Sequence, residues 1–253
     1  MDVHSLTSST PRTTPGEGQQ WTARTTADVS QRAASAVAGI GLLVMAVLAF
    51  ASVSALGNLV VTGDAAKTAR NIVEHQLLFR TIICGFLIVA VLDVVVAWAL
   101  YVFLRPAGRS IALLSAWLRV VYAALFAAAL GNLLVAARLL ADADALEAFG
   151  TGQLSAQEMM SVNAFNDEWR AALAIFGLHL LVLGYLVFRS GYVPRALGIL
   201  VMIASLGYLI DSFGGIFSAG YNANVAQVTF IGEVLLMGWL LWKGVRLKER
   251  GSA

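Results

Sequence analysis

Long apolar stretches alternate with short polar connections along almost the whole chain. The first, Ala33 to Val61, contains no charged residue. A bilayer core takes about 20 helical residues, so this stretch spans with room to tilt. The second runs from about Phe79 to Leu104 and is interrupted by Asp93. The third runs from Ser110 to about Leu140 and contains Arg119. The fourth is Trp169 to Phe188, the fifth Pro194 to about Phe217, and the sixth about Val225 to Trp242. The pattern predicts an all-α fold, a polytopic membrane helix bundle of six transmembrane helices over residues 31–246. Residues 1–30 are rich in Ser, Thr, Pro and Gly and hold no apolar run, the pattern of a disordered polar tail. Residues 247–253 read as a short C-terminal tail.

The connections carry their own signals. From Thr62 to His75 the chain is polar with apolar residues at helical spacing, which predicts a short interfacial helix. Arg105-Pro-Ala-Gly-Arg109 ends the second span, because Pro cannot continue the backbone ladder and Gly favours a turn. The longest connection, Ala141 to about Asp167, contains Ser155-Ala-Gln-Glu158, which fits a capping box. Met159, Val162, Phe165 and Trp169 follow at spacings of three and four. They predict a separate amphipathic surface helix that feeds the fourth span.

Composition agrees with this reading. The 253 residues are 59% hydrophobic and 13% charged, against about 45–50% and about 25% for soluble domains. The first apolar run is too long for a secretory signal core. A net charge of +2 points to no nucleic-acid partner, so the bilayer is the expected environment. The placement of the bases is more informative. Arg24, Arg32, Arg105, Arg109, Arg189, Arg195, Lys243, Arg246, Lys248 and Arg250 fall on one side of a six-span arrangement, and the acidic 141–167 connection falls on the other. Bases in short loops stay cytoplasmic, so both termini are expected in the cytoplasm and the protein in the inner (plasma) membrane. Cys84 is the single cysteine, which excludes an internal disulfide, and it reads as a small buried apolar residue. The sequence sets no oligomeric state.

Each span after the first holds an ionisable residue. A charge at mid-bilayer costs at least about 2.5–3.5 kcal/mol and marks the bundle interior. At about 1.5 Å per residue, Asp93, His179 and Glu233 lie near the midplane with Arg119 slightly nearer the cytoplasmic side. Asn58, Asn132 and Asp211 lie at an outer level. The expected arrangement is therefore a central layer of Asp93, Arg119, His179 and Glu233, and an outer polar layer of Asn58, Asn132 and Asp211. Ser115, Arg119 and Tyr122 share one helical stripe, as do Ser205, Tyr208 and Asp211, and Thr229 and Glu233. Asp93 has only apolar neighbours at helical spacing, so its partner must come from another helix.

Known catalytic patterns are absent. There is no phosphate loop, dinucleotide fingerprint or nucleophile elbow, and no pair of membrane histidines for a haem. No catalytic residue, metal ligand or cofactor is assigned. Trp169, Trp239, Trp242, Tyr192 and Tyr101 fall at span ends, as an aromatic belt would. Ala55-Leu-Gly-Asn-Leu-Val-Val61 echoes Ala129-Leu-Gly-Asn-Leu-Leu-Val135, but the second span shifted by the same offset does not meet the fourth. A shared packing need explains the echo without a repeat.

The stretch Gly177 to Phe213, GLHLLVLGYLVFRSGYVPRALGILVMIASLGYLIDSF, resembles a family of bacterial multi-pass proteins catalogued as domain of unknown function 4386. Leu118-Arg119-Val-Val-Tyr122 and Phe165-Asn-Asp-Glu-Trp169 support the resemblance, which spans about Arg32 to Lys243. It implies an integral membrane protein with about this number of spans. It implies no activity, substrate or catalytic residue.

The preferred functional expectation is a non-enzymatic membrane protein whose polar interior binds or moves a small solute or protons. In it Arg119 is an anion anchor or counter-ion, Asp93 and Glu233 are its partners or proton carriers, and His179 is a titratable neighbour. Two alternatives stand beside it. One is a structural or regulatory subunit whose charges set helix register. The other is an intramembrane metal-dependent hydrolase using His179, Asp211 and a further acid.

Overall fold

The computed structural model describes residues 29–139, 143–218 and 220–246. The regions assigned to the polar tail and the C-terminal tail lie outside these residues, apart from Val29 and Ser30. All the described elements are helical: α1 (Gln31–Leu59), α2 (Ala65–Glu74), α3 (Gln76–Leu104), a 3-10 turn (Arg105–Ala107), α4 (Arg109–Leu139), α5 (Ala143–Arg189), α6 (Arg195–Phe217), α7 (Ala226–Thr229) and α8 (Ile231–Arg246). Five of them are long and apolar enough to cross a membrane: α1, α3, α4, the Gly150–Arg189 part of α5, and α6.

The boundaries follow local chemistry. Ser30 caps α1 by accepting from the Ala33 amide at 3.2 Å, and Asp64 caps α2 by accepting from the Lys67 amide at 2.8 Å. Pro194 is the N-cap of α6 and lies just before its first turn. Two segments differ from expectation. No separate surface helix precedes the fourth span, because α5 runs unbroken from its kink at Gly150 (φ 73°, ψ 160°) to Arg189. The Ser155 hydroxyl donates to the Thr151 carbonyl at 2.8 Å inside the helix, so the capping box does not form. Leu154, Glu158, Val162, Phe165, Ala172 and Phe176 make one continuous buried stripe, and no Pro interrupts it. The 40 residues from Gly150 to Arg189 extend about 60 Å, twice a bilayer core of about 30 Å. The Gly150 end of α5 packs on α2. The sixth apolar segment folds as α7 and α8, interrupted at Phe230, and α8 alone has 16 residues.

The helices close into a ring. α1 packs on α3, α3 on α4, α4 on α5, α5 on α6, α6 on α7 and α8, and α8 back on α1. Cross-links fix the two ends. Gln31 Nε2 and the Tyr192 hydroxyl both donate to the Phe103 carbonyl, at 2.9 and 2.8 Å, and the Ser35 hydroxyl donates to the Leu240 carbonyl at 3.0 Å. The start of α1, the α3–α4 turn, the α5–α6 turn and the end of α8 thus share one end, where the basic residues of the turns collect. At the other end Asn71 Nδ2 donates to the Leu59 carbonyl at 2.9 Å, which holds α2 under α1.

Lipid is as apolar as a leucine side chain, so helix association in a membrane rests on close packing and cross-helix hydrogen bonds. α5 and α6 show both. The Ser205 hydroxyl donates to the Gly177 carbonyl at 2.8 Å. Gly184 and Gly198 face each other so closely that a β-carbon on Gly198 would lie 2.7 Å from the Gly184 carbonyl oxygen. Large apolar side chains face outward, including Val47 and Phe50 on α1 and Trp117 on α4. Cys84 also lies on this outer surface of α3 and is exposed rather than buried, because the inward stripe of α3 is taken by Ile82, Ile83 and Phe86.

Candidate functional site in the helix-ring interior

The ring encloses a cavity of about 360 Å³ to which all six of its helical walls contribute. Asp93 of α3, Arg119 of α4 and Glu233 of α8 are its charged lining residues. Counted along each helix at about 1.5 Å per residue, the three lie roughly 15–20 Å from the basic end, at about mid-depth.

Arg119 is the hub. Its Nη2 lies 2.7 Å from Asp93 Oδ1, and both side chains are buried. Its Nη1 lies 3.3 Å from His179 Nε2, and Nη2 reaches the Met45 sulfur at 4.0 Å. The guanidinium carbon sits 5.5 Å from the centre of the Phe176 ring, a cation–π arrangement. A guanidinium only donates, so His179 accepts at Nε2 and carries its proton on Nδ1. That nitrogen donates to the Ser115 carbonyl at 2.8 Å and also lies 3.1 Å from the Ser115 hydroxyl. The chain Ser115–His179–Arg119–Asp93 ties α4, α5 and α3 together. The partner of Asp93 comes from another helix, as its apolar helical neighbours require.

His179 itself does not line the cavity. It borders a separate small void with Leu100, Tyr101 and Leu186, on the side toward the basic end. Glu233 stands apart from the chain, in the first turn of α8, where the helix dipole favours a carboxylate. The Tyr208 hydroxyl faces this carboxylate. Glu233 Oε1 and Asp93 Oδ2 have no hydrogen-bond partner among the described residues.

The outer residues do not gather into one layer. Asn58 is exposed, and Asn132 donates to the Ala129 carbonyl of its own helix at 3.2 Å. Asp211 has a different task. Its carboxylate accepts from the Tyr221 hydroxyl at 2.7 Å, the Val225 amide at 2.9 Å and the Ala226 amide at 2.7 Å. It thereby holds the connection after α6 and the start of α7. His179 and Asp211 share no partner. Among the described residues, no three His, Cys, Asp or Glu side chains are placed to hold a metal ion.

A second recess of about 740 Å³, lined by Asn166, Asp167, Arg170, Asp211 and Asn224, adjoins the cavity. The two share Trp169, Leu173, Tyr208 and Phe230 as walls. Trp169 is therefore no belt residue. It is half-buried, donates from Nε1 to the Tyr122 hydroxyl at 3.3 Å, and packs edge-on or tilted among Phe86, Phe126 and Phe165. Sequence reasoning also missed Phe86, Phe126 and Phe176 as cavity walls. In an apolar span an aromatic ring facing inward has the same signature as one facing lipid.

A chain of this kind, all-helical in its described residues, with five helices able to cross a membrane and a partly charged cavity at the centre of the ring, belongs to the class of helical membrane-protein folds. Residues 37–244 match the family described as "Domain of unknown function (DUF4386)", and the chain belongs to that family. An "Uncharacterized protein" of Archaeoglobus fulgidus is 36% identical over 167 residues, which cover 66% of this chain and 86% of that relative. No solved structure matches the chain.

Proposed function

We propose that the chain is a six-span plasma-membrane protein, with both termini in the cytoplasm, whose interior cavity binds a small solute. The observation that carries the reading is the cavity itself: it lies at mid-depth, every wall of the ring contributes to it, and it holds an acid with an unpartnered oxygen. A volume of about 360 Å³ lies in the range of small-molecule sites. Residues 226–246, taken as one interrupted helix, are long enough at about 31 Å to complete a sixth crossing. Interrupted helices beside a mid-membrane site are a recurrent feature of solute-handling membrane proteins. The adjoining polar recess supplies an approach from the end opposite the basic turns.

A second reading is favoured by one observation. Arg119 is matched on several sides by Asp93, His179, Met45 and Phe176, which suits a fixed cross-link between helices better than an anchor for an incoming anion. We therefore assign Asp93, Arg119 and His179 to holding the ring, and Glu233 with the aromatic walls to the solute. Native mass spectrometry of the purified protein tests the assignment. A retained small molecule is expected on the wild type and is expected to be lost when Ala49, a cavity-wall residue, is changed to Phe. A folded wild type that carries and accepts no small molecule would overturn the solute-binding reading.

A further inference from the structure

The cavity lining has a sign as well as a shape. It holds two acids, Asp93 and Glu233, against one base, Arg119, so its formal charge is one negative. The base is held in an ion pair with Asp93 at 2.7 Å, and its Nε is without a hydrogen-bond partner among the described residues. Glu233 stands outside this ion pair: the Tyr208 hydroxyl faces its carboxylate, and its Oε1 is shielded from solvent and without a hydrogen-bond partner among the described residues.

The remaining walls are aromatic to an unusual degree. Seven of the eighteen lining residues are Phe, Tyr or Trp, and an aromatic ring carries negative charge density on its faces. One of these rings, Phe176, already holds a cation, the Arg119 guanidinium, at 5.5 Å. A carboxylate within an aromatic box suits an organic ammonium ion: the rings and the acid stabilise the charge, and the apolar walls take the hydrocarbon body. An inorganic cation would need a shell of several oxygen ligands, which these walls do not offer. The adjoining recess carries Asp167 and Asp211 against Arg170, the same sign along the approach.

We propose that the cavity binds an organic ammonium ion with an apolar body, with Glu233 as its counter-ion. This rests on the reading of the cavity as a solute site. Three probes of nearly one shape test it on the purified full chain: benzyltrimethylammonium, its neutral carbon isostere neopentylbenzene, and the anion benzenesulfonate. Trp169 in the cavity wall supplies a fluorescence signal, and thermal unfolding supplies a second readout.

Saturable binding of the ammonium is expected, at least about tenfold tighter than that of the neutral isostere, the scale of a desolvated cation–π and ion contact. Glu233→Gln is expected to remove about that factor for the ammonium and to leave the isostere unchanged. Ala49→Phe, which fills the cavity, is expected to abolish both. Equal binding of ammonium and isostere, preference for the sulfonate, or an ammonium affinity unmoved by Glu233→Gln would overturn the cation assignment while leaving a solute site in place. Absence of saturable binding by any of the three, with the wild type folded, would overturn both the assignment and the reading beneath it.

Discussion

Arg119 and Asp93 are buried together at 3% and 1% side-chain exposure, so neither charge can be screened by water. Removing one partner leaves the other charge uncompensated in the interior, whereas removing both takes the desolvation cost away with the attraction. Asp93→Leu is therefore expected to destabilise the folded protein by about 3 kcal/mol. The double variant Asp93→Leu/Arg119→Met is expected to recover most of that loss, read by denaturation in mixed detergent. Recovery by the pair, with ammonium binding retained, would separate the cross-link from the solute group. The sequence made this cluster legible because an ionisable residue in an apolar run is conspicuous: Asp93, Arg119, His179 and Glu233 could all be assigned to the interior. It did not show which of them face the cavity, since His179 and Glu233 differ only in what stands across from them on other helices. Trp169 was misread for a related reason. Its place at the start of the fourth apolar run looks interfacial until α5 is seen to begin long before it.

The elements depend on two kinds of local contact. One is the close approach of α5 and α6 at Gly184 and Gly198, where any β-carbon meets backbone. Overpacking of this sort costs about 1–3 kcal/mol. Gly198→Leu is expected to fall at or above the top of that range, while Gly131→Ala, which meets nothing within 4 Å, is expected to cost nothing measurable in the same denaturation assay. The other is the clasp of Asp211 on the connection that leads to α7. Donation from the Tyr221 hydroxyl to this carboxylate raises the tyrosine above its ordinary value of 10.0. A raised group stabilises the fold fully below its ordinary value and loses that contribution as pH rises through its folded value. The clasp is thus expected to hold below pH 10.0 and to loosen above it. Ultraviolet titration of wild type against Tyr221→Phe should show that the variant loses a late-ionising tyrosine, along with the alkaline rise in hydrogen exchange at residues 221–226. Charge spacing and Pro or Gly signals made most helix ends legible. The start of α5 was not, because Ser155 and Glu158 satisfy a capping pattern that the unbroken buried stripe from Leu154 to Phe176 overrides.

At the scale of the whole molecule, the ring sorts its charges by end. The cross-links of Gln31, Ser35 and Tyr192 gather the starts and turns that carry Arg105, Arg109, Arg189 and Arg195 at one end. The opposite end carries α2, the extended part of α5 and the clasped connection after α6. Basic residues in short loops are retained in the cytoplasm, so the proposed orientation places the α2 end, and with it the recess that adjoins the cavity, outside. The lone native cysteine makes the orientation measurable. Cys84 lies on the apolar outer face of α3, where lipid would cover it, and Cys84→Ala gives a background free of thiols. On that background Lys67→Cys in α2 and Gln153→Cys in the extended part of α5 are expected to react with a membrane-impermeant maleimide on intact cells. Arg109→Cys is expected to react only after the cells are opened. Labelling of Arg109→Cys on intact cells, with Lys67→Cys protected, would reverse the orientation and place the polar recess on the cytoplasmic side, so that an ammonium ion would approach Glu233 from within the cell.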